Sequence, residues 1–331
     1  MAARFRSILV LVTIGFMVVA TALQASAASF DCASAKRPME HLICSDPALS
    51  KLDEEMAQAY AAKMAALSPA GQRTLTESQR SWLRMVDAAC ELELACVLEY
   101  YQYRTDKLRE SWQVGPFRFV YVEHYEAFRI KGEDPEIEGQ LVNHQVNYPQ
   151  IDAPRNLETE RWNKFVADRV QGNIDEPYME EPHDIVDVSV GATVNAASSE
   201  VISAELGAWY YGHGMAHGWY YPEQTNILLK TGRRIEPADL FDDATQWREA
   251  LLRRCLPELT GRNPELDLNA ERIDDTIDNA TDWKISSEAL EIAFNFNDIF
   301  GWGRGGDSVT IPWRELKPYL RRDLPLALKL D

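Results

Sequence analysis

Four of the five cysteines, Cys32, Cys44, Cys90 and Cys96, fall within 65 residues of a 331-residue chain, and Cys255 stands alone far downstream. This clustering constrains the first third of the chain more than any other feature, because a unit of about 80 residues buries too little surface to be secure without cross-links. Spacings of 12, 46 and 6 residues do not resemble the Cys-x-x-Cys knuckles of zinc sites, so disulfides are expected and a metal is not. We pair Cys32 with Cys44 and Cys90 with Cys96, the second bridge capping the turn between two helices. The crossed pairing stays open, since spacing alone does not decide connectivity.

Disulfides need an oxidising compartment, and the N-terminal residues supply a route to one. Arg4 and Arg6 precede an apolar run of 16 residues, 8–23, and Ala25-Ser26-Ala27 fits a signal-peptidase site. Residues 1–27 are therefore expected to be a signal peptide, with Ala28 first in a periplasmic or secreted chain. The run falls short of the ~20 residues that span a bilayer, and no later segment is apolar enough, so no membrane contact is expected after cleavage.

From Phe30 to Trp112 apolar residues recur at helical steps. Leu49, Leu52, Met56, Tyr60, Met64 and Leu67 form one stripe, closed by Ser68-Pro69. Leu75, Gln79, Trp82, Val86 and Ala89 form a second, and Val97, Tyr101, Arg104, Leu108 and Trp112 a third. Gln79 and Arg104 stand on apolar faces, where polar side chains must find partners. Asp53 or Asp87 is the expected partner, in a structural clamp and not an active site.

Phe30-Asp31-Cys32, Glu40, Ile43-Cys44, Asp46, Leu49, Leu52-Asp53, Tyr60, Gln79, Trp82-Leu83, Asp87, Cys90, Cys96, Tyr101 and Arg104 together resemble the LprI-type lysozyme inhibitor domain. The resemblance covers nearly the whole unit. It implies a secreted or periplasmic helical module, which in some members binds lysozyme and blocks lysis.

Val114-Gly115-Pro116 marks the expected boundary between a helical domain over 28–113 and a second domain over 114–331. Beyond it the pattern alternates. Phe117, Phe119, Tyr121 and Glu123, then Phe128 and Ile130, read as two strands broken near His124-Tyr125-Glu126. Residues 137–151, 185–194 and 201–209 read as further strands, and 157–170 as a helix bearing Trp162, Phe165, Val166 and Val170. The next thirteen residues hold Trp209, Tyr210, Tyr211, His213, His217, Trp219 and Tyr220 among three glycines, and read as a recognition loop between two strands. A short helix opens at Glu236-Pro237-Ala238-Asp239. Residues 244–259 form a longer helix that buries Cys255 as a small hydrophobe, 289–296 and 308–311 are strands, and 312–320 is a final helix. The expected class is α+β: a small disulfide-braced helical domain, then an antiparallel sheet with helices on one side.

Tyr148-Pro149-Gln150-Ile151, Tyr210-Tyr211-Gly212, Ala216-His217, Lys230-Thr231-Gly232, Ala238-Asp239-Leu240-Phe241 and the run from Val309 to Leu316 are similar to the extracellular domain of RsiV-type anti-sigma factors. That domain also appears beside peptidoglycan deacetylases. The resemblance implies a lysozyme-binding ectodomain with no catalysis of its own. With no sigma-binding segment ahead of the apolar run, signalling through a sigma factor is not expected.

Formal charge is −18, and it is unevenly spread: residues 28–113 hold 13 acidic and 10 basic side chains, residues 114–331 hold 39 and 22. Phosphate binding needs clustered Lys and Arg, which excludes nucleic acid as a partner. A basic protein such as a lysozyme is favoured, with an encounter rate that falls as salt rises. Trp209, Tyr210, Tyr211, His213, His217, Trp219 and Tyr220, with Trp302 and Arg304 on a second glycine loop, are the candidate contact residues, because hot spots favour Trp, Tyr and Arg.

His213 and His217 spell His-x-x-x-His, but Gly212, Gly214 and Gly218 deny the helix that would aim both rings at one metal. Gly301-Trp302-Gly303-Arg304-Gly305-Gly306 spells Gly-x-Gly-x-x-Gly ahead of a strand, where the dinucleotide fingerprint requires a helix. No cofactor is expected, and no nucleophile elbow, P-loop or metalloprotease helix is present in the sequence. The expected function is non-enzymatic binding of a lysozyme-type wall hydrolase. The alternatives are an envelope enzyme using His213, His217 and Asp239, or a periplasmic scaffold for another envelope protein.

Overall fold

A computed structural model describes residues 28–131, 137–175, 186–294 and 306–330 of the chain. The expected leader over 1–27 lies outside the described residues, as do Trp302 and Arg304.

Four helices build the first unit: α1 (Pro38–Ser45), α2 (Pro47–Ala66), α3 (Pro69–Cys90) and α4 (Leu94–Arg109). The first three open on proline, whose fixed φ suits a first turn, and Asp46 and Ser68 cap α2 and α3 by accepting from the N–H groups of Leu49 and Gly71. The three stripes converge on Leu49, Leu75, Trp82, Val97 and Tyr101, all fully buried. Cys32 is bonded to Cys44 and Cys90 to Cys96. The second bridge spans the turn after α3, where Glu91 and Leu92 take positive φ values of 47° and 69°. That conformation crowds Cβ, so the turn depends on the cross-link and the packing around it.

A seven-stranded sheet follows, in sequence order: β1 (Gln113–Val114), β2 (Phe117–Arg129), β3 (Leu141–Ile151), β4 (Val186–Ala197), β5 (Val201–Gly212), β6 (Trp219–Leu228) and β7 (Arg233–Arg234). The two strands expected on either side of His124-Tyr125-Glu126 are one. Those residues pair in register with Val146, Gln145 and His144 of β3, which holds them extended where side-chain alternation weakens. β3 and β4 run parallel, because α5 (Leu157–Asp175) carries the chain across the sheet between them; the other pairings are antiparallel. α5 lays Trp162, Val166 and Val170 on one face, against Val190, Ile202, Leu206 and Tyr210.

The rest of the chain surrounds a third core. α6 (Pro237–Leu240), α7 (Trp247–Arg262) and α8 (Ala270–Ile277) pack on a three-stranded antiparallel sheet of β8 (Trp283–Ile285), β9 (Ala289–Phe294) and β10 (Asp307–Pro312), with α9 (Trp313–Leu316) after it. The helix expected over 312–320 is this single turn and a 3-10 turn at Lys317–Tyr319. Cys255 on α7 is fully buried here, and burial pushes its thiol up to about 12, so it carries no thiolate at neutral pH.

The helical unit and the large sheet share packing and polar contacts. Val120 of β2 belongs to the helical core. Ser78 Oγ of α3 accepts the Glu123 N–H at 3.1 Å and donates to Tyr121 O at 3.4 Å, closing part of the edge of β2 that no strand covers. Asp152, just past β3, accepts the N–H and the hydroxyl of Ser68 at 2.8 and 2.5 Å, at the positive end of α3. A Cβ on Gly71 would lie 2.5 Å from that carboxylate, so a larger residue there would push Asp152 off Ser68.

Deepest is Arg104. Its Nε donates to Gln79 Oε1 at 2.9 Å and its Nη1 to Glu123 Oε2 at 2.7 Å, with side chains only 2% and 6% exposed across the ion pair. The Tyr125 hydroxyl donates to the other Glu123 oxygen at 3.1 Å. The counter-charge is thus neither Asp53 nor Asp87, as expected from the helices alone, but a carboxylate supplied by the strand that follows them. Asp53 accepts the Ser29 N–H instead, and Asp87 is exposed.

Breaking a buried pair strands the surviving charge, at a cost of about 3 to 5 kcal/mol. Arg104→Met and Glu123→Gln should each lower the unfolding free energy by that order, seen as a lower urea midpoint. The double variant should lose less than the sum of the two, as equilibrium unfolding will measure.

Candidate functional site

Alternation along β5 decides which aromatic rings are available. Tyr210 points to the α5 face, is fully buried, and donates its hydroxyl to Asn173 O at 2.7 Å. It is a core residue and not a contact residue. Trp219, its cross-strand partner, shares that face, whereas Trp209, Tyr211 and Tyr220 stand on the other. The expected recognition loop is shorter than read: β5 continues to Gly212 and β6 begins at Trp219.

The open face is covered at both flanks. On one, α4 brings Tyr103 over β2. On the other, buried Asn226 of β6 donates to Trp283 O at 2.6 Å and accepts the Ile285 N–H at 3.2 Å, fastening β8 across the sheet. Between them a cleft of about 280 Å³ crosses from β2 to β6, with Tyr103 and Trp209 among its lining and Gln145, Asn147, Ser189 and Glu205 along its course. Trp209 stacks on Tyr211, centroids 6.1 Å apart and planes at 15°. Glu205 accepts from the Tyr220 hydroxyl at 3.0 Å and from Gln224 Nε2 at 2.6 Å, and lies 3.5 Å from Lys284 Nζ. Burial and that carboxylate raise the Tyr220 pKa, so its hydroxyl stays a donor.

His213 lies between Gln140, just ahead of β3, and Asp187 of β4, with Nδ1 2.7 Å from Gln140 Oε1 and Nε2 3.3 Å from Asp187 Oδ1. His217 Nδ1 is 3.3 Å from Gly218 O, and its ring meets Trp219 edge-on. Asp239 receives the Arg233 guanidinium on both oxygens and the Glu236 N–H at 2.9 Å, which caps α6 and holds its carboxyl below the usual range. The three residues of the enzymatic alternative are thus engaged with three different sets of partners. Among the described residues no cluster of three or more His, Cys, Asp and Glu is placed to hold a metal.

A second concavity, about 400 Å³, opens in the helical unit and is lined by Asp53, Asp87, Tyr60, Tyr101, Arg37 and Glu40 among others. Burial, then Asp53 and Asp87, raise the Tyr101 pKa. Glu40 caps α1: it accepts the N–H groups of Lys36 and Arg37 and the Arg37 guanidinium, which draw its carboxyl down to about 2.

Sequence reasoning missed Tyr103, Asn147, Asp187 and Glu205. The available signal was a pair of glycines, Gly191 and Gly207, inside otherwise β-forming runs, where glycine marks close approach by another group.

Residues 32–108 match the model of a family described as Lysozyme inhibitor LprI. No curated protein matches the chain. Two solved structures of the DUF3298 family are similar: one from Bacteroides fragilis, at 14% identity over 63% of this chain and 95% of that one with a TM-score of 0.42; one from Pseudomonas aeruginosa, at 11% identity over 62% and 95% with a TM-score of 0.45.

Glu40 supplies a pH test of the helical unit. Its folded pKa lies below the ordinary 4.5, so its stabilisation is present above that value and is lost as pH falls towards 2. In Glu40→Gln the melting temperature should vary less over that window than in the unaltered protein, by calorimetry.

Proposed function

We propose that the chain is an exported protein that binds a lysozyme-type wall hydrolase and blocks it, performing no chemistry itself. The observation that carries this reading is the match of residues 32–108 to the lysozyme-inhibitor family, on a unit with a pocket lined by Asp53, Asp87 and Glu40 beside Arg37. Two disulfides fit an extracytoplasmic compartment, and no described helix is long and apolar enough to cross a membrane.

Charge supports the same partner. The excess acid on residues 114–331 attracts a basic protein at range, while the exposed Trp209 ring, stacked on Tyr211, offers rigid apolar area that loses little entropy on docking. The likeness of the second unit to RsiV-type ectodomains extends the reading beyond the helical unit. Trp209, Tyr211 and Tyr220 are the proposed contact residues of the sheet; Tyr210 is not among them. An envelope enzyme has less in its favour, because His213, His217 and Asp239 each serve a separate local structure.

Protein beginning at Ala28 should slow clearing of a bacterial wall suspension by a c-type lysozyme at low ionic strength, and less so as salt is added. Asp53→Asn and Trp209→Ala should each weaken inhibition. Undiminished lysis at low salt, with no complex in size-exclusion chromatography, overturns the reading.

A further inference from the structure

We propose that the cleft across the open sheet face is a binding site for a neutral saccharide, a role that shares the Trp209 ring with the protein contact surface above but does not depend on it.

The floor of the cleft is made by absence. Gly191 of β4 and Gly207 of β5 are direct cross-strand partners in the middle of the sheet, both lining the cleft. Gly207 has a local reason: a Cβ there would lie 2.8 Å from the Tyr220 hydroxyl, which crosses it to reach Glu205. At Gly191 it is backbone that comes close, Asn147 O lying 3.2 Å from where a Cβ would stand. Neither position carries a side chain, so the middle of the open face is left at backbone level.

The polar lining asks for a ligand that donates. Asn147 lines the cleft, and its Oδ1 is buried with no hydrogen-bond partner among the described residues. A buried acceptor left unpaired is costly, and a hydroxyl or an amide N–H reaching that end of the cleft satisfies it.

Charge decides against an ionic ligand. The one carboxylate in the cleft, Glu205, already receives Tyr220, Gln224 and Lys284. What remains is amide and hydroxyl chemistry from Gln145, Asn147, Ser189 and Thr193 between two exposed rings, Tyr103 at 59% and Trp209 at 36%. Flat rings flanking polar groups match a pyranose, which carries C–H bonds on its faces and hydroxyls around its edge. A volume of about 280 Å³ admits a sugar ring.

The test is calorimetric titration of the chain from Ala28 with two neutral trisaccharides: chitotriose, which carries acetamido groups, and cellotriose, which does not. Saturable binding of either supports the proposal, and the stronger of the two says whether amide or hydroxyl fills the Asn147 end. Trp209→Ala and Tyr103→Ala should each weaken binding by about tenfold or more, since losing a stacked ring removes a main anchor. Tyr103 is exposed enough for its loss to leave the melting temperature unchanged. No binding of either sugar, or binding that survives both substitutions together, overturns the site. Lysozyme inhibition measured on Tyr103→Ala is read separately, so failure of one proposal does not pass for failure of the other.

Discussion

The buried ion pair between Arg104 and Glu123 is the constraint on which the arrangement of this protein depends. A guanidinium that is 2% exposed has no water to turn to, so its carboxylate must be delivered by packing. The helical unit holds Gln79 for one nitrogen but no acid for the next. That acid comes from β2, with the Tyr125 hydroxyl on its second oxygen. The last helix of the first unit and the first long strand of the second are therefore closed together, and Ser78 and Asp152 repeat the connection along α3.

That closure shapes the functional surface. By fixing α4 against β2 it places Tyr103 beside the open sheet face, and Asn226 does the same for β8 at the opposite flank. The cleft is what lies between two such fastenings. It differs in chemistry from the pocket of the helical unit, where Asp53, Asp87 and Glu40 gather around Tyr101. One concavity is lined by several carboxylates beside Arg37, the other mainly by amides, hydroxyls and rings.

Local features were legible where local physics governs them. Apolar steps of three and four marked α2, α3 and α4, and Ser68-Pro69 marked the break between the first two of these because a cap and a proline act within one turn. The two disulfides join cysteines only 12 and 6 residues apart. Continuity of β2 was not legible: His124-Tyr125-Glu126 have weak alternation of their own, and it is pairing with β3 that keeps them extended. The aromatic set from Trp209 to Tyr220 was found as a cluster but not divided. A two-residue repeat alone does not say where a strand ends, and only with β5 carried to Gly212 do Tyr210 and Trp219 turn inward.

The amino-acid sequence by itself determined the helical unit, the presence but not the connectivity of its disulfides, the acidity of the second half and the presence of strand-forming segments beyond Gly115, since each follows from neighbours a few residues apart or from composition. Only the tertiary structure decided which carboxylate neutralises Arg104, which rings face out, and where two glycines from adjacent strands meet to leave a cleft. Those outcomes join groups 16 to 19 residues apart or more across different elements. Burial selects among such pairings by the cost of an unpaired charge or an unfilled space, and that cost exists only once the layers have closed.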